Sequence, residues 1–353
     1  MKIAISADFH LKSDESHPER YEALEYILKK LKERGVENFI IAGDLFDKDA
    51  NQYYCFEESI TKKEFEKIQI IVIRGNHDIN ISNKHFTAEN LEIIEKPKII
   101  SKEMFGIDFY LIPYERNKKM GEMLAEETKQ LEPRSWVLVS HGDWIHKNSE
   151  INAYEKGIYM PLLNTDLQKY KPARTFLGHI HKSLDDSEVF IPGSPCGLDI
   201  TETGKRSLII LDTISLEIER LPVETSVIFI DEVITILPSN DEISFVNRKI
   251  DNLFTNWDIE KKDYKKIIAR IKVNGYSSNL QKIRSEIEKR FKGIKLYKNQ
   301  KIDYSELKIS NDVEKNFVIG KVEDYLSNKP EYVNVNNSLK NEIINQALEI
   351  IYG

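Results

Sequence analysis

The stretch Lys2-Ile3-Ala4-Ile5-Ser6-Ala7-Asp8-Phe9-His10 decides how the rest of the chain reads. Its first six residues form a short buried strand. Asp8 and His10 follow at the carboxyl edge. In an extended segment side chains alternate with period two, so Asp-x-His places both on one side. Ligands sit at such strand ends in open α/β sheets. Four more signals close later apolar runs: Gly43-Asp44, Gly75-Asn76-His77-Asp78, His141-Gly142 and Gly178-His179-Ile180-His181. Five of the eight histidines lie inside these signals, so histidine is concentrated where strands end. A lone Asp-x-His or Gly-Asp is an ordinary surface turn. The ordered set of five, each behind an apolar strand, is not.

Asp8, His10, Asp44, Asn76, His141, His179 and His181 make seven candidate ligands of hard oxygen and borderline imidazole character, with no thiolate. That mix suits Mn²⁺, Fe²⁺ or Zn²⁺, and seven donors fit two divalent ions better than one. Two ions about 3.5–4 Å apart activate water and clamp both oxygens of an in-line displacement at phosphorus. Asp44 is the natural bridging carboxylate. His77, beside a ligand but not itself one, is placed as a general acid or a donor to a phosphoryl oxygen. Asp78 is expected to hydrogen-bond the other nitrogen of His77 and fix its orientation. Asp47 is a candidate for orienting the metal centre or substrate. His17, His85 and His146 lie outside the motifs and read as solvated or locally hydrogen-bonded.

Working outward, residues 1 to about 220 alternate strand and helix. Lys2–Ala7, Phe39–Ala42 and Ile70–Ile73 read as strands, with helices over Pro18–Arg34 and about Tyr54–Lys67 between them. Tyr21, Leu24, Ile27, Leu28 and Leu31 hold three- and four-residue spacing in the first helix. This βαβαβ order predicts a largely parallel sheet. Strands at Ile107–Ile112, Trp136–Val139, Thr175–Leu177, Val189–Ile191 and Ser207–Asp212, with a helix over Lys118–Gln130, predict a second sheet packed on the first and helices outside both. The fold class is therefore α/β, a four-layer αββα sandwich over 1–222. Beyond Leu221-Pro222 comes a small α+β module over 223–308, with strands Val227–Ile236 and Lys266–Val273. Its helices are Asp241–Phe254 and Ser278–Phe291, the latter capped by Ser277 or Ser278. A helical tail over 309–353 ends in Leu339–Ile351, where Leu339, Ile343, Ala347 and Ile351 form a stripe flanked by Ile344 and Leu348.

The composition is that of a globular chain. Of 353 residues 41% are hydrophobic and 31% charged, enough to bury a large core. No apolar run approaches the roughly 18 residues of a membrane span, and Asp8 and His10 interrupt any signal-peptide core. Cys55 and Cys196 form no CxxC pair, as expected of thiols in a reducing cytoplasm. Net charge is −7, but Lys261 to Lys301 carries 14 basic against 3 acidic residues, a net +11, leaving −18 elsewhere. Tyr264, Tyr276, Phe291 and Tyr297 are interleaved there, which suits phosphate contacts and base stacking.

The ordered motifs resemble the calcineurin-like metallophosphoesterase superfamily. Within it, Gly43-Asp44-Leu45-Phe46-Asp47, Gly178-His179-Ile180-His181 and Pro192-Gly193-Ser194-Pro195 look like the SbcD and meiotic-recombination-eleven type of DNA double-strand-break repair nuclease. The resemblance implies one Mn²⁺ on Asp8, His10, Asp44 and His181, and another on Asp44, Asn76, His141 and His179. It makes His77 the catalytic histidine, with Asp78 beside it. It further implies 3′→5′ exonuclease and single-strand or hairpin endonuclease activity, and a DNA-capping domain over 223–308. Partners would be DNA, an SMC-like coiled-coil ATPase docked on the C-terminal helices, and a second copy in a homodimer, in the nucleoid-associated cytoplasm. One departure is Asp47, where many members carry a second histidine. Two other readings stand beside this one. A small-molecule or cyclic-nucleotide phosphodiesterase with the same centre has no need of the last 130 or so residues. A non-catalytic scaffold does not need seven intact ligands.

Overall fold

The computed structural model describes residues 1–12, 16–48, 50, 53–128, 131–145, 157–238, 241–310, 312–333, 335 and 337–352. His146, Asp49 and Gln130 lie outside the described residues. The chain divides into two units, Met1–Leu198 with Lys205–Val227, and Asp199–Gly204 with Ile228–Gly353.

The first unit begins β1 (Lys2–Ser6), α1 (Pro18–Arg34), β2 (Asn38–Ala42), α2 (Tyr53–Ile60), β3 (Gln69–Ile73), β4 (Leu91–Ile94) and β5 (Lys98–Ile100). It continues α3 (Lys102–Phe105), β6 (Asp108–Ile112), α4 (Met120–Glu127), β7 (Trp136–His141), β8 (Trp144–Ile145), β9 (Leu162–Leu163) and α5 (Asn164–Tyr170). It closes with β10 (Arg174–Gly178), β11 (Leu184–Asp186), β12 (Val189–Ile191), β13 (Arg206–Asp212) and β14 (Ile218–Val223). Two six-stranded sheets result, ordered β14-β13-β1-β2-β3-β4 and β11-β12-β10-β7-β6-β5. From β1 to β4 the pairing is parallel, and β13 and β14 add an antiparallel edge.

Burial on both faces explains why the central strands are apolar throughout. Ile3, Ile5, Ile40, Ile73, Val137, Val139 and Phe176 fill the space between the sheets. Ala4, Phe39, Ile41 and Val72 face the other way, onto Leu24, Ile27, Leu28 and Leu31 of α1. A third core lies outside the second sheet, where Leu138 and Leu177 meet Met123, Leu124 and Leu167 from α4 and α5. These layers are the αββα sandwich. Each aliphatic side chain buried in them contributes about 1.5–3 kcal/mol. The helix α1 starts on Pro18 and stops at Gly35, whose φ of 65° is the left-handed cap that favours glycine.

The second unit holds β15 (Ile228–Ile236), α6 (Glu242–Asn256), β16 (Ile267–Ser277), α7 (Leu280–Arg290), β17 (Lys295–Leu296), β18 (Asp303–Ile309), α8 (Val313–Ser327), α9 (Pro330–Val333) and α10 (Asn337–Tyr352). All its strand pairs are parallel and centred on β16. Asn279, not a serine, caps α7 by accepting from the Lys282 N–H. Ser277 is committed elsewhere, its hydroxyl donating to buried Glu242 at 2.6 Å. Residues 309–353, set apart as a tail by sequence, share a core with the rest of this unit. Ile319, Ile344 and Leu348 are buried there, with Ala347 and Ile351 packed against it. The apolar stripe is therefore largely spent within the unit. Phe291 is likewise core, packed against Phe254 and Trp257, and Tyr276 stacks on Tyr352 at 4.0 Å. Neither ring is an open platform for a base. No described helix is long and apolar enough to cross a membrane.

Candidate metal centre

All five motifs meet at the carboxyl ends of adjacent central strands in the first unit, behind β1, β2, β3, β7 and β10. The chain leaves these strands under strain. Asp8, His10, Asp44 and His179 adopt φ of 56°, 46°, 50° and 95°, conformations that residues with a Cβ rarely accept. Non-glycine residues held this way collect at functional sites. Two glycines make the convergence sterically feasible. A Cβ on Gly43, at φ 87°, would lie 2.2 Å from His141 Nδ1. One on Gly178 would lie 1.9 Å from the Ala42 carbonyl oxygen.

Among the described residues three groups of donors gather about Asp44, one of them His10, Asp44 and His77, and the other two hold the sequence-derived carboxylate and imidazole ligands. Asp8, His10 and His181 form one and Asp44, His141 and His179 the other, with ligand atoms inside each within 4.8 Å of one another. His10 Nε2 and His181 Nε2 face each other at 3.1 Å. His141 Nε2 and His179 Nδ1 converge on Asn76 Oδ1 at 2.8 and 3.0 Å. Asp44 Oδ2 stands 3.5 Å from both His10 Nε2 and His141 Nε2, between the clusters, where a bridging oxygen belongs. All seven sequence-derived ligands are thus brought together, and every one except His181 is buried.

Other groups hold this arrangement from outside. Arg20, buried on α1, donates to the His10 carbonyl, and its Nη1 is 3.8 Å from Asp47 Oδ2. Arg206 Nη1 and the Ser194 N–H both donate to the His181 carbonyl, at 2.9 and 3.1 Å. That contact gives the Pro192-Gly193-Ser194-Pro195 turn a role. Asp8 accepts the His179 backbone N–H on both carboxylate oxygens.

His77 lies against the same space, its ring 4.5 Å from that of His10 and its backbone N–H donating to Asp44 Oδ1 at 2.8 Å. The carboxylate facing its Nδ1, at 3.2 Å, is Asp47. The structure corrects the expectation for Asp78. Its two oxygens accept the N–H groups of Gly75 and Phe46, at 2.7 and 3.2 Å, so it fixes the loops that carry Asn76 and Asp44. Asp78 follows the turn down into the protein, whereas Asp47 projects from the neighbouring loop towards the imidazole. Lys12 pairs with Asp47 at 3.1 Å. His85 and His17 are locally bonded, to the Ser82 N–H and to Glu19.

The electrostatics are those of a cation site. Burial drives Asp8 up to about 6 and His10 down to about 3. Burial also acts to raise Asp44, but the imidazoles of His141, His10 and His77 outweigh it and hold the carboxyl well below its usual range. For His141 burial acts downward, yet Asp44 and Asp8 win and push the imidazole up to about 9. Hard carboxylates, an amide oxygen and imidazoles, converging in two groups about a shared carboxylate, fit a pair of divalent ions.

A family model described as calcineurin-like phosphoesterase matches residues 1–183. The chain belongs to that family. It is a metal-dependent phosphoester hydrolase by kind, and divalent ions are the family's cofactors. Solved structures give looser likenesses to this phosphoesterase. A novel archaeal phosphodiesterase is 19% identical over 63% of this chain and 100% of its own, with a TM-score of 0.33. GAP50, an anchor in the inner membrane complex of Plasmodium, is 11% identical over 64% and 89%, at 0.38. The purple acid phosphatase PPD1 of yellow lupin seeds is 12% identical over 60% and 49%, at 0.39. With TM-scores this low, the family match and the site geometry carry the argument.

Proposed function

We propose that this phosphoesterase is a Mn²⁺-dependent DNA phosphodiesterase, a 3′→5′ exonuclease on duplex ends and an endonuclease on single strands and hairpins. The observation that carries the reading is Asp44 set between two donor clusters with the His77 imidazole beside them. Asp8, His10, Asp44 and His181 would hold one ion, and Asp44, Asn76, His141 and His179 the other. Bound there, the ions supply an activated water and neutralise charge on the phosphoryl oxygens. The side chains do the rest. His77 donates a hydrogen bond to a phosphoryl oxygen and a proton to the departing oxygen, while Asp47 holds Nδ1 and so aims the ring. Burial of the donors excludes bulk water and strengthens each contact.

A diester rather than a monoester is favoured by the residues just after Gly43-Asp44. Protein phosphatases with this centre carry an arginine shortly after that motif to grip a phosphomonoester, whereas Lys48 and Asp49 stand there in this chain. Buried Arg20 is committed to the His10 carbonyl. Nucleic acid is favoured by the basic stretch, in which Lys292, Lys295, Lys298 and Lys301 are exposed in the second unit. An SMC-like coiled-coil ATPase is the proposed partner. Phe317, Val318 and Tyr325 on α8 and Ile350 on α10 remain between 47% and 84% exposed, a suitable apolar surface.

The test is digestion of end-labelled duplex with Mn²⁺, Mg²⁺ or Zn²⁺, with and without the ATPase and ATP. Metal-dependent shortening from 3′ ends is expected. Turnover of a small chromogenic phosphodiester while every DNA end stays intact would move the protein to the small-substrate class.

A further inference from the structure

Asp143 played no part in the sequence reading, yet it borders the centre. It follows His141-Gly142 and is pinned at three points. Its N–H donates to the Tyr159 carbonyl and its carbonyl accepts the Leu162 N–H, each at 2.8 Å. Its Oδ2 accepts the Tyr159 N–H at 2.6 Å. The other oxygen, Oδ1, faces His179 Nε2 at 3.5 Å, with the side chain only 12% exposed. The opposite ring nitrogen of His179, Nδ1, is the one that points at Asn76 Oδ1.

His141 is arranged the other way round. Its Nδ1 faces the Ala42 carbonyl at 2.9 Å and its Nε2 points at Asn76. A carbonyl and a carboxylate only accept hydrogen bonds, so with an ion taking the nitrogens that face Asn76, the ring protons belong on the nitrogens facing the Ala42 carbonyl and the Asp143 carboxylate. With an ion bound the two histidines would therefore take opposite tautomers, both lone pairs directed at the same spot. In His141 a backbone carbonyl makes the choice, which no substitution removes. In His179 a side chain makes it.

We propose that Asp143 is a positioning residue that locks His179 as its Nε2–H tautomer, so that Nδ1 offers its lone pair to the ion held with His141 and Asn76. The proposal rests on the two-ion reading of the site. Outer carboxylates of this kind typically change metal affinity 10–100-fold.

The discriminating variant is Asp143→Asn. An asparagine has one acceptor oxygen for two donors, the Tyr159 N–H and the His179 ring. With the oxygen turned to Tyr159, its amide nitrogen faces His179 Nε2, which must then accept, moving the ring proton to Nδ1. Long-range ¹⁵N–¹H correlation spectra of histidine-labelled, chelator-treated protein in buffer above about pH 9, where His141 has also given up its second proton, report this directly. The expected result is His179 as Nε2–H in the parent chain and as Nδ1–H in the variant, with His10, His141 and His181 unchanged as the internal measure of folding. Mn²⁺ titration should then show one ion binding as before and the other 10–100-fold more weakly. An unaltered His179 tautomer in the variant, or two ions bound as tightly as in the parent, overturns the proposal. A proton that moves as expected in a protein whose parent binds only one Mn²⁺ would instead sink the two-ion reading and leave the role of Asp143 standing. Asp143→Ala guards against a trivial loss of structure. It removes both acceptor contacts, so equal metal loss with unshifted His179 signals would assign Asp143 to holding Tyr159 alone.

Discussion

The two units use charge in opposite ways. In the first, carboxylates and imidazoles are gathered at a point, buried, on backbone bent into left-handed conformations at four of the seven ligands. In the second, the net +11 of residues 261–301 is spread along a stretch, and many of its cations are already paired. Arg270 is bonded to Asp231, Lys272 to Glu306 and Arg290 to Asp251. A convergent set works only as a set, because each donor removed leaves the remaining buried charges uncompensated. A distributed surface loses function in small steps. The steepest contrast is expected at Asp44, the carboxylate that stands 3.5 Å from both His10 and His141. Asp44→Asn should lower metal-dependent phosphodiester turnover about 10³-fold or more, the scale of losing a preorganised electrostatic group. Bound metal should fall below two per chain by elemental analysis. Two ions retained at near-parental turnover would break the picture of a shared bridge.

His77 sharpens the same contrast, since it touches the site without being counted among its ligands. His77→Ser should keep both ions and lose about 10²–10⁴-fold in turnover, the usual worth of a placed acid. Loss of metal in step with activity would make His77 a ligand instead.

The motifs that form the point were legible because each ligand is announced by a local pattern, an apolar strand followed by a glycine or an Asp-x-His. Pro18–Arg34 could be bounded from sequence alone, because proline starts it and glycine stops it. What escaped was whatever depends on neighbours distant in the chain. Asp47 and Asp78 are each within four residues of a ligand, and nothing local says which one turns towards His77. The strands β4 and β5 are too short to show any alternation. The left-handed φ at Asp8, His10, Asp44 and His179 has no residue signature. Phe291 looked interleaved with lysines, but helical spacing places it beside Ile287 on the buried face of the module.

Protonation offers a finer probe of the convergent set. In the metal-free centre His141 holds its proton up to about pH 9, although burial opposes it, because Asp44 and Asp8 adjoin it. An ion needs the Nε2 lone pair, so binding must expel a proton from the site. Apparent Mn²⁺ affinity should rise about tenfold per pH unit towards pH 9 and level off above it. The sign reverses for the metal-free fold. A pKa raised above the unfolded value adds stability that is complete below about pH 6.5 and lost as pH rises through about 9. Chelated protein should accordingly melt lower in alkaline buffer while loaded protein does not. An affinity flat between neutral pH and pH 9 would mean that Asp44 and Asp8 do not hold that proton.

The smallest effect is expected where charge is spread most widely. Lys292, Lys295, Lys298 and Lys301 are all exposed, so their replacement by glutamine should leave folding untouched. If they contact phosphates, DNA affinity at low salt should drop about tenfold, and the slope of log K against log salt on duplex should shrink by up to about 3.6. Hydrolysis of a small chromogenic diester should not change, because that substrate needs only the buried donors. The two readouts separate the units' contributions. A variant that loses both has been damaged at the point rather than on the surface. One that loses neither shows that the basic stretch is a solvated face, and nucleic acid must then be recognised by other residues.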